Sequence, residues 1–209
     1  AYDGAEKCDQ SSWKSTSYDK GRVGLNVGKK ECSIMKVLII SDSHGKNDDV
    51  KHVIEQVGDV DMMLHLGDVE RGDDYIRSIA RCPEDQVYFV SGNNDYNLDL
   101  PYERELTICG RKVFMTHGHR FYVNGGVDHL REYAKEMHYD IAMYGHTHRP
   151  YLEQEEDLTI LNPGSISYPR QQGRKQTFLI MEIDEETDKI EFKQGFLRST
   201  LKETYGDFF

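Results

Sequence analysis

The stretch Met35-Lys36-Val37-Leu38-Ile39-Ile40-Ser41-Asp42-Ser43-His44-Gly45 decides the fold. An apolar run ends abruptly in a polar loop, and no polar residue alternates within it. A central strand buried on both faces requires that pattern. The period then changes. Within residues 48–57, Val50, Val53, Ile54 and Val57 recur at the i, i+3, i+4, i+7 spacing of an amphipathic helix. Asp48 and Asp49 stand at its start, where they suit the positive end of the helix dipole. Residues 61–65 read as a second strand, 73–80 as a second helix and 86–91 as a third strand. This β-α-β-α-β order predicts a parallel sheet with right-handed crossovers.

Beyond Pro101 the text changes again. Residues 105–109 and 112–116 flank Gly110-Arg111, a hairpin signal. Residues 126–138 predict a helix and 141–144 another buried strand. The last third reads as strands at 158–161, 177–183 and 189–196, the final two joined by the acidic turn at 184–188 into an antiparallel pair. Helix-covered parallel strands followed by antiparallel ones predict two sheets packed face to face with helices outside, an α/β architecture. Residues 1–34 carry neither period. They read as an appended, non-native extension or a mobile arm, with one domain over 35–197 and a C-terminal tail at 198–209.

Composition bounds the function. The 209 residues suit one well-buried domain. A net charge of −11 repels a phosphate-coated partner, so general nucleic-acid binding and anionic membranes are excluded. A small phosphorylated substrate is not, because clustered divalent cations invert the field inside one cleft. Cys8, Cys32, Cys82 and Cys109 are scattered and read as unpaired thiols of a reducing, cytoplasmic compartment. No apolar run approaches the roughly 20 residues that span a bilayer. Tyr205, Phe208 and Phe209 hint at a contact between copies, so a homo-oligomer is compatible with the chain.

The ionisable residues gather where strands end. Asp42-Ser43-His44, Gly67-Asp68, Gly92-Asn93-Asn94-Asp95, His117-Gly118-His119 and His146-Thr147-His148 each follow a predicted strand. Loops beyond the carboxyl ends of such strands converge on one edge, where ligands bind. Any one segment has an ordinary reading: Asp42 as a helix cap, Gly-Asp as a turn, Gly-Asn-Asn-Asp as a loop. All five in order, each after a strand, point to metal. Carboxylates, imidazoles and an amide without thiolate suit Mn²⁺, Fe²⁺, Zn²⁺ or Mg²⁺. Seven donors exceed one tetrahedral ion and suit two ions sharing a carboxylate. The i, i+2 spacing of Asp-x-His and His-x-His predicts extended segments with both side chains on one side. Gly67, Gly92, Gly118 and Gly145 predict tight turns and close backbone approach.

The ordered set D-x-H, G-D, G-N-x-D, a His, and G-H-x-H resembles that of the calcineurin-like metallophosphoesterases, over residues 35 to about 197. The opening Leu38–Gly45 segment, Thr116-His117-Gly118-His119 and Asn162-Pro163-Gly164-Ser165 look most like the small YfcE-type phosphodiesterase branch, which also contains the retromer scaffold subunit Vps29. The resemblance implies a four-layer α/β/β/α sandwich. It implies one metal held by Asp42, His44 and His148, a second by Asn93, His117 and His146, and Asp68 as the bridge. Manganese is the foremost candidate, with iron, zinc, nickel or magnesium compatible. The implied reaction is phosphodiester hydrolysis by a hydroxide shared between the metals, attacking phosphorus in line.

One position departs from the pattern. Many relatives carry Gly-Asn-His, whose His protonates the leaving oxygen; here Asn94 stands in that place and supplies no titrating proton. His119 is either its substitute or a hydrogen-bonding neighbour of His117. Esters with good leaving groups are then favoured. Asp95 is expected to orient a metal-bound His or Asn. Arg170 is a candidate phosphate contact or a surface arginine. His65 reads as buried structure, and His52, His129 and His138 as ordinary helical residues. The alternatives are a phosphomonoesterase or nucleotide pyrophosphatase with the same chemistry, or a non-catalytic protein-binding scaffold. Seven filled ligand positions speak against the scaffold.

Overall fold

Alternation of side chains along the strands sorts the interior into three layers. The computed structural model describes residues 34–198, so the expectations for the N-terminal extension, the C-terminal tail, Cys8 and Cys32 lie outside the described residues. Strand β1 (Ile34–Ile40) is followed by α1 (Asn47–Val57), β2 (Met62–His65), α2 (Asp73–Ile79), β3 (Val87–Phe89), β4 (Glu103–Ile108), β5 (Arg111–Thr116), α3 (Asp128–Glu136), β6 (Ile141–Met143), β7 (Pro150–Gln154), β8 (Thr159–Pro163), β9 (Thr177–Asp184) and β10 (Lys189–Phe196). One sheet runs β10-β9-β1-β2-β3 and the other β4-β5-β6-β8-β7.

Val37 and Ile39 point into the layer between the sheets, against Val113, Met115, Met143 and Leu161 of the second sheet. Leu38 and Ile40, one residue out of step, face Val50, Val53 and Ile54 of α1 and Ile76 of α2. On the far side Phe114, Ala142 and Ile160 face Leu130 and Ala134 of α3. This is the four-layer α/β/β/α sandwich that the resemblance implied, and the period of two explains it. Strand β1 is apolar throughout because both its faces are covered.

β1, β2 and β3 pair in parallel, as do β5, β6 and β8. β9 joins β1 antiparallel and β10 joins β9, so the acidic turn does close a hairpin. Three expectations shift. The β4–β5 hairpin turns on Cys109 (φ 47°) and Gly110 (φ 79°), with Ile108 opposite Arg111. Two consecutive positive φ values make the two-residue turn that matches strand twist, one residue earlier than expected. α3 begins at Asp128, because Gly126 holds φ 134°, and His138 (φ 56°) lies past its end. β7 had no strand signal. It opens on a proline at the sheet edge, pairs only with β8, and is half exposed along its length. Cys82 and Cys109 are free thiols. Among the described residues no helix is long and apolar enough to cross a membrane.

Candidate metal centre

The parallel strands of both sheets deliver their carboxyl-end loops to one place. Beyond β1 and β2 the pairing continues without regular strand geometry. The amides of Asp42, His44 and Gly45 donate to the carbonyls of Gly67, Asp68 and Val69 at 2.9–3.0 Å. Here the expectation of extended segments fails. Asp42 (φ 55°), His44 (48°), Asp68 (54°), Glu70 (62°), His146 (66°) and His148 (57°) all adopt the left-handed conformation. Asp42-Ser43-His44 and His146-Thr147-His148 are therefore each a pair of left-handed residues around a normal one, whereas in His117-Gly118-His119 only the central Gly118 (φ 97°) is left-handed. Left-handed backbone costs roughly 1–3 kcal/mol at a non-glycine residue, and such strain collects where function demands it. A Cβ on Gly92 would lie 2.1 Å from Asp68 Oδ1, and one on Gly145 would lie 2.1 Å from Ser41 Oγ, so these two glycines permit the approach.

Donor atoms of Asp42, His44, Asp68 and His148 lie within 4.8 Å of one another. His148 Nε2 is 3.2 Å from Asp42 Oδ1, and His44 Nε2 is 3.8 Å from Asp68 Oδ2. His117 Nε2 joins from the second sheet, 3.4 Å from Asp68 Oδ2 and 3.9 Å from Asp42 Oδ1. The ring tautomers follow from their partners. His117 Nδ1 faces the Leu66 carbonyl at 2.7 Å, His148 Nδ1 the Tyr168 carbonyl at 2.7 Å, and His44 Nδ1 the Glu70 carboxylate at 2.7 Å. Those oxygens only accept, so each Nδ1 carries a proton and each Nε2 turns to the centre, where those of His44 and His148 lie 3.2 Å apart.

Buried polar atoms ordinarily find partners, yet both Asp42 carboxylate oxygens, Asn93 Oδ1 and His117 Nε2 have no hydrogen bond among the described residues. Burial pushes Asp42 up, but His148 and His117 overrule it and hold the carboxyl below its usual value. Burial likewise opposes charge on His117, and Asp68 and Asp42 raise it to about 9. Asp68 is lowered against its own burial, by His117 and the Asn94 amide. The field calls for positive charge between these groups. The residues present fit a divalent cation.

Known proteins agree. Residues 35–186 match the calcineurin-like phosphoesterase superfamily domain. A probable metallophosphoesterase of Methanocaldococcus jannaschii is 33% identical over 84% of this chain and 93% of its own length. The chain belongs to the calcineurin-like phosphoesterase superfamily. The phosphodiesterase YfcE of Escherichia coli is 30% identical, covering 66% of this chain and 82% of its own. Among solved structures, a predicted phosphoesterase of Streptococcus pneumoniae superposes with a TM-score of 0.63 at 28% identity, over 78% of this chain and 98% of that one. Vps29 of Entamoeba histolytica, crystallised with zinc, shares the fold at 22% identity and a TM-score of 0.59, over 78% and 100%.

Within this phosphoesterase domain the expected residues do not all sit as expected. His146 lies outside the tight group, its ring 5.2 Å from that of His117, with Nε2 2.8 Å from the Asn124 amide. Burial and His117 lower it to about 4. Asn94 does not stand free. Its backbone and side-chain N–H groups donate to Asp68 Oδ1 and Oδ2 at 2.9 and 2.7 Å, so this position holds the carboxylate. Asp95 grips backbone instead of a His or Asn side chain: it accepts from the amides of Glu70 (2.5 Å) and Gly92 (2.7 Å), tying two ligand loops together. His119 stands 5.5 Å from the His117 ring and 6.1 Å from that of His146, with Nδ1 buried and unpartnered; burial lowers its pKa. Asn162 donates to the Gly145 carbonyl at 2.7 Å, and Ser165 Oγ to the Asp42 carbonyl at 2.9 Å, so the Asn-Pro-Gly-Ser element braces the ligand loops.

Arg170 donates its amide to the His148 carbonyl at 3.0 Å and its side chain lines a cleft of about 1000 Å³ beside His44 and His148. Glu70, Asn124 and Arg149 escaped sequence reading. Glu70 and Arg149 look like surface charges beside a motif, and Asn124 like turn composition. No local signal marks them.

Proposed function

We propose that this protein is a divalent-metal-dependent phosphodiesterase acting on a small phosphorylated molecule. The carrying observation is the convergence of imidazole Nε2 atoms, carboxylates and unpartnered buried oxygens between two sheets. Asp42, His44 and His148 would hold one ion, Asn93, His117 and His146 a second, with Asp68 between them and manganese the foremost metal. Divalent cations there supply Lewis acidity to the phosphoryl group and lower the pKa of the attacking water. The chain's own residues keep the donors aimed. Asn94 fixes both Asp68 oxygens, Glu70 fixes the His44 ring, and Asp95 joins their loops. His119 is the one imidazole on the His117 loop outside the proposed ligands, and its ring lies 5.5 Å from that of His117. With Asn94 committed to Asp68, esters with good leaving groups react best and alkyl monoesters slowly.

Hydrolysis of bis(p-nitrophenyl) phosphate by the metal-free protein, restored with Mn²⁺, Ni²⁺, Co²⁺ or Mg²⁺, tests the reading. Turnover that appears with metal and disappears with chelator supports it. No metal-stimulated turnover with any of the four defeats it and leaves the fold as a protein-binding scaffold.

A further inference from the structure

The cleft that opens from the His44–His148 edge differs in charge from the rest of the molecule. The chain carries 37 acidic residues against 26 Lys and Arg, yet among the described residues no acidic one lines this cleft of about 1000 Å³. Its wall instead carries Arg149, Arg170 and Arg174, together with Tyr168, whose ring lies 5.4 Å from that of His44. Elsewhere Arg81, Arg111 and Arg131 each hold a carboxylate. Among the described residues, Arg149, Arg170 and Arg174 hold none. Arg149 and Arg170 also line a neighbouring cleft of about 700 Å³, so they stand where the two clefts meet.

The wall is built, not loose. Ser167 Oγ donates to the Ser43 carbonyl at 2.7 Å, the Tyr168 amide donates to Ser165 Oγ at 2.7 Å, and Gln176 Nε2 donates to Asp49 Oδ2 at 2.9 Å. The loop that bears Arg170 and Arg174 is thus pinned to the loops that bear the metal donors. Lys46 Nζ lies 4.2 Å over the Tyr168 ring and adds a fourth cation at the cleft margin. Unpaired guanidinium forks match the oxygens of a phosphate bidentately, and three of them favour a dianion over a monoanion. The volume accommodates an arm of nucleoside size. An extended polyanion is repelled by the acidic surface outside.

We propose that this cleft is a second anion subsite, selecting phosphodiesters in which one ester arm carries a further phosphate group. The inference rests on the phosphodiesterase reading above and adds its substrate class. Two substrates that differ only in that group test it: the p-nitrophenyl ester of thymidine 5′-phosphate, with and without a 3′-phosphate. For the manganese-loaded full chain, KM is expected to be about tenfold or more lower for the 3′-phosphorylated ester. In Arg149→Gln/Arg174→Gln and in Arg170→Gln that ratio collapses towards one, through KM of the phosphorylated ester. Equal KM values for the two esters in the wild type, or variants that raise both KM values equally, overturn the subsite while leaving the phosphodiesterase intact. Calorimetric titration of the metal-loaded protein with thymidine 3′,5′-bisphosphate and thymidine 5′-monophosphate decides the matter without turnover. Tighter bisphosphate binding that the arginine variants abolish supports the subsite even where both esters resist hydrolysis, a result that defeats only the phosphodiesterase reading; equal binding overturns the subsite.

Discussion

The ends of β2 and β5 each bury a histidine completely, and the two have opposite characters. His65 accepts from the Gly67 amide at Nδ1 (3.3 Å), so its Nε2 carries the proton and meets Ser43 Oγ at 3.0 Å. Both nitrogens are used, Phe89 stacks on the ring with centroids 5.5 Å apart, and burial lowers the group to about 4. His117 uses one nitrogen for the Leu66 carbonyl and turns the other, without a hydrogen-bond partner among the described residues, towards Asp42 and Asp68, which raise the group to about 9. Residue type and burial are the same. The difference is whether the second nitrogen has a protein partner, and that separates a structural histidine from a candidate metal donor.

The largest effect that could break this contrast is catalytic. His117→Ala and Asp68→Asn should each lower metal-stimulated diester hydrolysis by about 10³-fold or more, the scale of losing Lewis-acid stabilisation. His65→Gln should retain turnover near the wild-type value, measured as kcat/KM at pH 7.5. Equal losses in His65→Gln and His117→Ala would erase the distinction.

Stability should divide the other way. His65→Ala strands Ser43 Oγ and opens a buried cavity, which should cost about 2–4 kcal/mol in urea unfolding. Acid acts through the same side chain. His65 near 4 in the fold lies below the ordinary 6.5 of an unfolded histidine, so the unfolded chain takes the proton first. Its contribution is complete above about pH 6.5 and is lost as pH falls towards 4, on the order of 3 kcal/mol in all. Urea midpoints of the metal-free protein across that range should fall less steeply for His65→Gln than for the wild type.

Smaller effects sharpen the donor side. Glu70→Gln removes the carboxylate on His44 Nδ1 and should weaken metal affinity by roughly 10–100-fold, read by calorimetry. Saturating manganese, at about 100 times its dissociation constant, should stabilise the wild type by about 2.7 kcal/mol. The corresponding rise in Tm should persist in His65→Gln and shrink in His117→Ala. A full rise in the His117 variant would show that the metal is held without it.

The sandwich was largely legible along the chain because side-chain period is a local property. The alternation through Val37, Leu38, Ile39 and Ile40, and the helical spacing from Val50 to Val57, needed no tertiary information. The candidate donors were legible for a related reason: five polar clusters each follow a strand, and parallel strands carry their ends to one edge. His65 reads as buried structure because it lies within the strand, one step before the Gly67-Asp68 turn, and it is the last residue of β2.

The rest depended on contacts distant in sequence. The left-handed turns at Asp42, His44, Asp68, His146 and His148 are held by pairing between loops, as in the Asp42–Gly67 and His44–Asp68 bonds. No local preference of Asp or His demands them. Asn94 is in sequence an amide where an acid is expected; Asp68, 26 residues away, turns it into a support. The gathering of Arg149, Arg170 and Arg174 around one acid-free cleft likewise needs a pinned loop between β8 and β9. By itself, then, the sequence determined the layers and named the candidate donors, because periodicity and strand ends are local. Only the tertiary structure decided which histidine keeps a nitrogen without a protein partner, which residues steady the candidate donors, and where unpaired positive charge collects, because each depends on a partner that folding brings near.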